Sequence, residues 1–400
     1  MMSRGLKLGV STMTMDRKSF LRAAAAGAGA AMAAIQAACG KRPAAKTAEP
    51  APPGRTEKLV ERVVADTTGA FTTAAVFMGD ALGLFKAMAG AGAMSSAQLA
   101  TRAGLNERYV LEWLRSVAAS GYVDYQAASG KFELPAEHVP VLVDEDSPAF
   151  VMGLLQGAVP DIWMIPKLLT AFHTGKGIPY SEYPPETFAS IERGTRPDYM
   201  NLLVPQWLPA VPGLVEKLKA GCSAADLGSG GGIASIQLAK AFPKVRAYGF
   251  EPYAPSVKRA AENARGAGLA DRVSFATFDG VHVPGGPYGL ITMNYALHHA
   301  GDHAGVLTSA CRALDKDGVM LVVEYRRSER LEQDILTLRQ VLYATSLTEC
   351  MPTALAEGGP GYGTGIQASE MQRLAKLAGF RECAGMLPED PLRSFFILRK

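Results

Sequence analysis

A chain of 400 residues, 48 % of them hydrophobic, holds enough apolar surface for two folded units, which excludes a disordered or fibrous polypeptide. Its formal charge of +3 is misleading, because the first 55 residues hold nine Lys/Arg against Asp16 and Glu49, and the rest holds 32 basic and 36 acidic residues. A mildly acidic body lacks the footprint that neutralises a phosphate backbone, so nucleic acid is not expected as the main partner. Five cysteines, Cys39, Cys222, Cys311, Cys350 and Cys383, form no CxxC pair and no Cys/His ligand spacing. Neither a disulfide framework nor a metal site is therefore indicated.

Within residues 1–55, the basic segment Asp16-Arg-Lys-Ser-Phe-Leu-Arg22 leads into a weakly apolar Ala/Gly run from Ala23 to Ala38, then Cys39 and a Pro/Ala-rich stretch. A basic end, a short apolar run and small residues at a cleavage point make the general signal-peptide pattern, and so short a run does not span a bilayer as a stable helix. Segment 16–39 resembles a bacterial twin-arginine-type export signal ending in a lipobox. That resemblance implies the cell envelope and a membrane attachment through a lipidated Cys39. An Ala-rich tail without an address is the alternative. Either way, residues 1–55 are set apart from the fold.

From Glu57 to about Val143 apolar residues recur at three- and four-residue spacing, which predicts helices. Ser95 caps one helix, Gly104 breaks it, and Asn106 caps the next, making a helix-turn-helix. The stretch Tyr122–Leu134 has two short alternating segments about an Ala-Ser-Gly turn, the pattern of a wing hairpin. Residues 56–143 are thus expected as an α-rich winged-helix domain. Its second helix mixes Glu107 and Glu112 with Arg108 and Arg115, a poor face for reading bases, so a role in dimerisation and pocket covering is expected instead. Residues 144–220 are richer in Pro, Trp, Tyr and Met and are expected as a helical connector that contributes to an apolar substrate pocket.

In residues 221–400, short apolar runs alternate with helical stretches: strand AADLG, helix Ile233 to Phe242, strand VRAYGFE, helix Pro255 to Gly268, then strands VSFATFD, LITMNYAL and GVMLVVEY. This order predicts an α/β, doubly wound, Rossmann-like parallel sheet with its ligand at the carboxyl ends of the strands. The residues suited to chemistry fall at those ends. Asp226, Gly228, Gly230 and Gly232 follow the first strand, Glu251 ends the second, Asp279 the third, Asn294 and His298 close the fourth, and Glu324 the fifth. A dinucleotide fingerprint starting at Gly228 wants Gly or Ala at position 233, where Ile233 stands. That argues against a nicotinamide-dependent oxidoreductase. An acid ahead of the glycines suits a ligand bearing an ammonium and a sulfonium rather than a pyrophosphate. Glu251 is placed to accept both ribose hydroxyls and Asp279 the adenine amino group, which points to S-adenosylmethionine (SAM).

The glycine turn, Gly249-Phe-Glu-Pro252, the stretch from Leu297-His-His299 to Glu324, and the segments MPTALAEGGPGYGTG and MQRLAKLAGF resemble bacterial class I SAM methyltransferases with an N-terminal winged-helix domain, a group related to plant O-methyltransferases. The resemblance covers about residues 57–400. Group members often read Val-Gly-Cys-Gly-x-Gly in the turn; this chain has Leu227-Gly-Ser-Gly-Gly-Gly232. The resemblance implies SAM as cofactor, a homodimer, and a small-molecule acceptor, with an aromatic or polyketide-like hydroxyl expected. In the related plant enzymes a His after the fourth strand is the base and a Glu after the fifth orients it; His298 and Glu324 are the matching residues. A carboxylate on one imidazole nitrogen fixes the tautomer and makes the other nitrogen the acceptor. His299 and His303 rank behind His298, and a His-His pair at this turn also occurs in SAM enzymes without a His base. No metal is required.

Tyr180, Trp207, Met293, Tyr295, Tyr343 and Met351 are the candidates for the substrate wall. A non-catalytic regulator combining a SAM fold with a DNA-binding winged helix is the competing reading. Cytoplasmic residence is favoured by the supply of SAM, against the export-like segment.

Overall fold

The computed structural model describes residues 54–400, so the export-like segment and Cys39 lie outside the described residues. Helix α1 (Arg55–Ala81) begins the described chain; its first part, up to Phe71, exposes Leu59, Val60, Val63, Val64 and Phe71 and carries an Arg62–Asp66 ion pair at 3.1 Å. No helix among the described residues is long and apolar enough to cross a membrane.

The last turns of α1 lie on Trp113, whose indole N–H donates to the Ala75 carbonyl at 2.9 Å; a Cβ at Gly79 would sit 2.4 Å from that indole. Helices α2 (Leu84–Met88), α3 (Ser96–Ala103) and α4 (Glu107–Ala119) follow. The expected caps are all present. Ser95 and Gln98 form a reciprocal capping box, Gly104 adopts a left-handed φ of 67°, and Asn106 accepts the N–H groups of Arg108 and Tyr109. The wing is an antiparallel pair, β1 (Asp124–Gln126) and β2 (Lys131–Glu133), with Tyr125 opposite Phe132. Glu112 on α4 holds Arg108 at 2.5 Å and Arg115 at 3.7 Å, which neutralises much of that helix's basic charge.

The connector is helical: α5 (Val139–Leu142), α6 (Met152–Trp163), α7 (Ile165–Thr174), α8 (Pro185–Asp198), a π-helical segment Tyr199–Trp207 and α9 (Leu214–Ala220). The wide π turns occur where Pro205 removes a backbone donor. Helices α6 and α8 approach so closely that a Cβ at Gly153 would lie 2.2 Å from the Gly194 nitrogen.

Seven strands make one sheet in the order β5-β4-β3-β6-β7-β9-β8. The five parallel strands are β3 (Ser223–Leu227), β4 (Arg246–Glu251), β5 (Val273–Thr277), β6 (Tyr288–Asn294) and β7 (Leu314–Tyr325). Helices α10 (Ile233–Ala241), α11 (Ala254–Gly266) and α12 (His303–Ala313) alternate with them; α13 (Gln340–Thr345), α14 (Met351–Ala356) and α15 (Ala368–Leu377) follow β7. All seven residues of β6 are buried, as expected of a parallel strand covered on both faces. Strand β3 pairs with both β4 and β6, which makes its carboxyl end the switch point. The sequence does not announce the final antiparallel hairpin, β8 (Glu382–Met386) and β9 (Arg393–Arg399), which pairs with β7. One face of the sheet is packed by α12 and α15, with Val306, Leu307, Met371 and Leu374 in the core. The other is packed by the π segment, α9 and α10, with Leu203, Leu218 and Leu238.

Candidate active site

A cavity of about 1620 Å³ opens at the carboxyl ends of β3, β4 and β6. The turn after β3 is held by its own hydrogen bonds. The N–H groups of Gly228 and Ser229 both donate to the Phe250 carbonyl, and that of Gly230 donates to Glu251 Oε2 at 3.0 Å. Gly228 has a φ of 69°, and a Cβ there would lie 2.4 Å from that of Ala296. Gly228 and Gly230 line the cavity. Gly232 does not: it turns the chain into α10 at a φ of 77°, and a side chain there would strike the Phe275 ring.

Asp226 corrects a second expectation. Its carboxylate accepts hydrogen bonds from Ser235 at 2.9 Å and Thr292 at 2.7 Å, beneath the turn and outside the cavity. Burial pushes its carboxyl up to about 6 against the pull of those two hydroxyls. The acid ahead of the glycines thus braces β3 to β6 and α10 rather than facing a ligand. Glu251 does line the cavity; its other oxygen takes the Tyr253 N–H at 3.1 Å, and each oxygen keeps a lone pair for a diol. Asp279 also borders the cavity, but Val281 and His282 N–H groups at 2.9 and 2.7 Å and the His282 ring at 2.6 Å already draw on its carboxylate and hold it well below the usual range. Asn294 is the most telling residue of this half. It is 5 % exposed, lines the cavity, and neither amide atom has a partner among the described residues. Buried polar atoms are ordinarily satisfied, so this amide fits a polar ligand end.

Across the cavity, the turn Leu297–His299 after β6 delivers His298 to Glu324 on β7. Nδ1 of His298 lies 2.6 Å from Glu324 Oε2, and the His298 backbone N–H donates to Oε1 at 3.1 Å. Glu324 is 0 % exposed and His298 1 %, and Nε2 of His298 has no partner among the described residues. Both carboxylate oxygens are committed to one imidazole residue, so the ring is fixed with Nε2 as its free nitrogen. Its neighbour His299 is held neutral by burial, and His303 is pushed down to about 4 by the same cause. His303 does not line the cavity.

Of the six residues expected in a substrate wall, three line the cavity and three do not. Tyr180, Met293 and Tyr295 line the cavity. Tyr295 takes a positive φ of 54°, rare for a bulky residue, and its hydroxyl is tied to Asp198 and, at 2.8 Å, to Nε of Arg393. Trp207 instead fills the core, 1 % exposed and edge-on to Phe395 at 5.4 Å. Tyr343 spends its hydroxyl on Asp334 at 2.9 Å, away from the cavity, and Met351 lies just past the cavity-lining Cys350 without reaching it. Tyr343 and Met351 sit on helical segments whose inward faces carry Thr345, Thr348, Glu349 and Cys350, a choice of face that spacing alone does not reveal.

Two stretches of the chain match known families: residues 60–143 match "Rv2258c-like winged HTH domain" and residues 218–379 match "Methyltransferase domain". The chain carries a methyltransferase domain with a winged-helix domain ahead of it. No curated protein matches this methyltransferase. Among solved structures it is similar to the mitomycin 7-O-methyltransferase MmcR, at 21 % identity, covering 86 % of this chain and 99 % of that one with a TM-score of 0.64. It is also similar to human N-acetylserotonin methyltransferase in complex with SAM, at 17 % identity, covering 87 % and 99 % with a TM-score of 0.65. A third is the N,N-8-amino-8-demethyl-D-riboflavin dimethyltransferase RosA from Streptomyces davawensis, at 17 % identity, covering 87 % and 99 % with a TM-score of 0.57. At these identities the likeness is one of fold, and the fold serves oxygen and nitrogen acceptors alike.

Several cavity residues of the methyltransferase were not legible beforehand. Asp161 on α6 is 6 % exposed, accepts from Thr348 at 2.7 Å and has its other oxygen unpartnered among the described residues; burial pushes it up to about 6. A lone acid inside the apolar run Met152–Trp163 was its only signal. Arg393 opens a strand that the sequence does not announce, and Phe188 stacks on Tyr253 at 4.0 Å across more than sixty positions.

Proposed function

We propose that this methyltransferase transfers the methyl group of SAM to a hydroxyl of an aromatic or polyketide-like small molecule, with His298 as general base and Glu324 as its positioning residue. The observation that carries this reading is the 2.6 Å His298–Glu324 contact with Nε2 left free beside a cavity large enough for a multi-ring acceptor. Bound SAM supplies an already activated methyl group, so the protein's task is to align a nucleophile and remove its proton. Gly228 and Gly230 let the backbone approach the donor, Glu251 is placed for its ribose, Asp279 for its adenine, and the Asn294 amide for its amino-acid end. His298 Nε2 receives the acceptor's hydroxyl proton, and Glu324 holds Nδ1–H and stabilises the imidazolium that forms. Tyr180, Met293 and Tyr295 are proposed as part of the acceptor wall.

Calorimetric titration with SAM, S-adenosylhomocysteine and NADH tests the donor half. SAM and S-adenosylhomocysteine are expected to bind and NADH not to; equal affinity for NADH would sink the reading. Methyl transfer from labelled SAM to a panel of phenolic polyketides tests the acceptor half. The competing reading, a DNA-binding regulator, is disfavoured by the ion pairing of Arg108 and Arg115 with Glu112. A salt-sensitive gel shift on duplex DNA would revive it. A homodimer in the cytosol, where SAM is made, completes the proposal. Sedimentation velocity checks the first, and cell fractionation with mass spectrometry of the N-terminus checks the second together with the lipidation of Cys39.

A further inference from the structure

At the proposed base, three donors meet that methyl transfer does not use together. One ligand atom from each of His298, His299 and Cys350 lies within 4.8 Å of the others. The two imidazoles are adjacent in the turn Leu297–His299, their ring centroids 4.1 Å apart, and Cys350 ends a π-helical segment, Ser346–Cys350. The sequence conceals the set because the thiol is supplied from beyond β7, far from any Cys/His spacing motif.

The far side of each group is already anchored. His298 gives Nδ1 to Glu324 at 2.6 Å, His299 gives Nδ1 to the Thr353 hydroxyl at 3.1 Å, and the Cys350 sulfur accepts from Thr364 at 3.1 Å. Each imidazole is therefore left with Nε2 to offer, and that of His298 is buried and unpartnered among the described residues. Metal-binding histidines are fixed in this way, with the second nitrogen given to a carboxylate or hydroxyl. Burial keeps the Cys350 thiol protonated in the metal-free protein, so binding releases that proton to solvent; the resulting two imidazoles and thiolate suit Zn²⁺ and similar borderline ions, and do not suit the hard, oxygen-seeking Mg²⁺ or Ca²⁺. Tetrahedral bonds of ~2.0–2.3 Å place donors roughly 3.3–3.6 Å apart, so groups that already meet within 4.8 Å need to close by little more than an ångström at most. All three line the cavity, as do Asp161 and Glu349, and the cavity's two arginines are already paired, Arg259 with Glu192 at 2.5 Å and Arg393 with Asp198 at 2.8 Å.

We infer that His298, His299 and Cys350 bind one Zn²⁺-class ion inside the cavity, with the fourth coordination position open to solvent or an acceptor oxygen. The ion takes the same Nε2 that receives the acceptor's proton, so metal binding and general-base function exclude each other. Free zinc then acts as a brake on turnover. The coordination itself does not depend on the methyl-transfer reading, because its readout is the metal's own spectrum.

The test is titration of the full-length, chelator-treated protein with Co²⁺, followed by displacement with Zn²⁺ in a calorimeter. One equivalent is expected, with the visible bands of tetrahedral Co²⁺ and a thiolate-to-metal charge-transfer band in the near ultraviolet. Cys350→Ala is expected to abolish the charge-transfer band and weaken Zn²⁺ binding by about 100-fold; His299→Ala is expected to keep the band and weaken binding by about 10-fold or more. The inference is overturned by failure to bind one equivalent, by an octahedral spectrum, or by a charge-transfer band that survives Cys350→Ala. Should Cys350→Ala not fold, unchanged Zn²⁺ affinity in His299→Ala overturns it equally.

Discussion

His298 carries the largest expected single effect. Replacing it with alanine is predicted to lower kcat by roughly 10²–10⁴-fold, as for other lost general bases, while the dissociation constant for SAM stays within a factor of about three. Steady-state turnover and calorimetry on the same variant measure both, and undiminished turnover rejects the role. Asp226 makes a separable prediction. Its folded-state carboxyl sits at about 6, above the ~3.9 of an unfolded aspartate, so the folded chain prefers the protonated form. The contribution is fully present below pH ~3.9 and is lost as pH rises through the folded value. Asp226→Asn, which never ionises, is predicted to gain about 2 kcal/mol relative to the native chain between pH 4 and pH 7, most of the roughly two-unit shift at 1.36 kcal/mol per unit. Urea unfolding at the two pH values reads the difference, and parallel stability curves would show that burial does not set this group's titration.

Between elements, close approach matters more than propensity. Gly153→Ala improves the helix propensity of α6 by up to about 1 kcal/mol, but the new methyl meets the Gly194 nitrogen at 2.2 Å, a backbone atom that cannot rotate aside. Overpacking costs roughly 1–3 kcal/mol or more, so a net loss of stability is predicted, visible as a lower urea midpoint. Since α6 also carries Asp161 into the cavity, the KM for the acceptor is expected to rise more than that for SAM. In the winged helix, Ser95→Ala removes the acceptor for the Gln98 N–H and is predicted to cost about 1 kcal/mol, read as faster amide exchange in the first turn of α3. The contrast explains what the sequence could disclose. Ser95, Gly104 and Asn106 act through neighbours a few positions away, and the strand-end positions of Glu251 and His298 follow from parallel topology, so all were legible. Trp207, Tyr343 and Met351 were assigned to the wall on residue type, yet which side of a helix faces a cavity is fixed by partners such as Phe395 and Asp334 that are remote in the chain. Asp226 stood at the expected strand end, but the alternation of a strand sent its carboxylate to Ser235 and Thr292 instead.

For the molecule as a whole, donor binding is expected to appear as thermal stability. SAM at about 100 times its dissociation constant adds ~2.7 kcal/mol, and for a unit of about 330 residues that corresponds to a Tm increase of roughly 4 °C. Differential scanning fluorimetry with SAM and with NADH checks this; an equal shift with both, or none with SAM, contradicts the proposed donor. The cavity wall draws on α6, α8 and the segments after β7, whereas the glycine turn and the His298 loop belong to the sheet. Gly228 leaves no room for even a methyl beside Ala296, two residues ahead of His298. The glycine turn and the His298 loop therefore behave as one mechanical part. Substitutions in the helices can reshape the proposed acceptor wall without moving the glycine turn relative to His298.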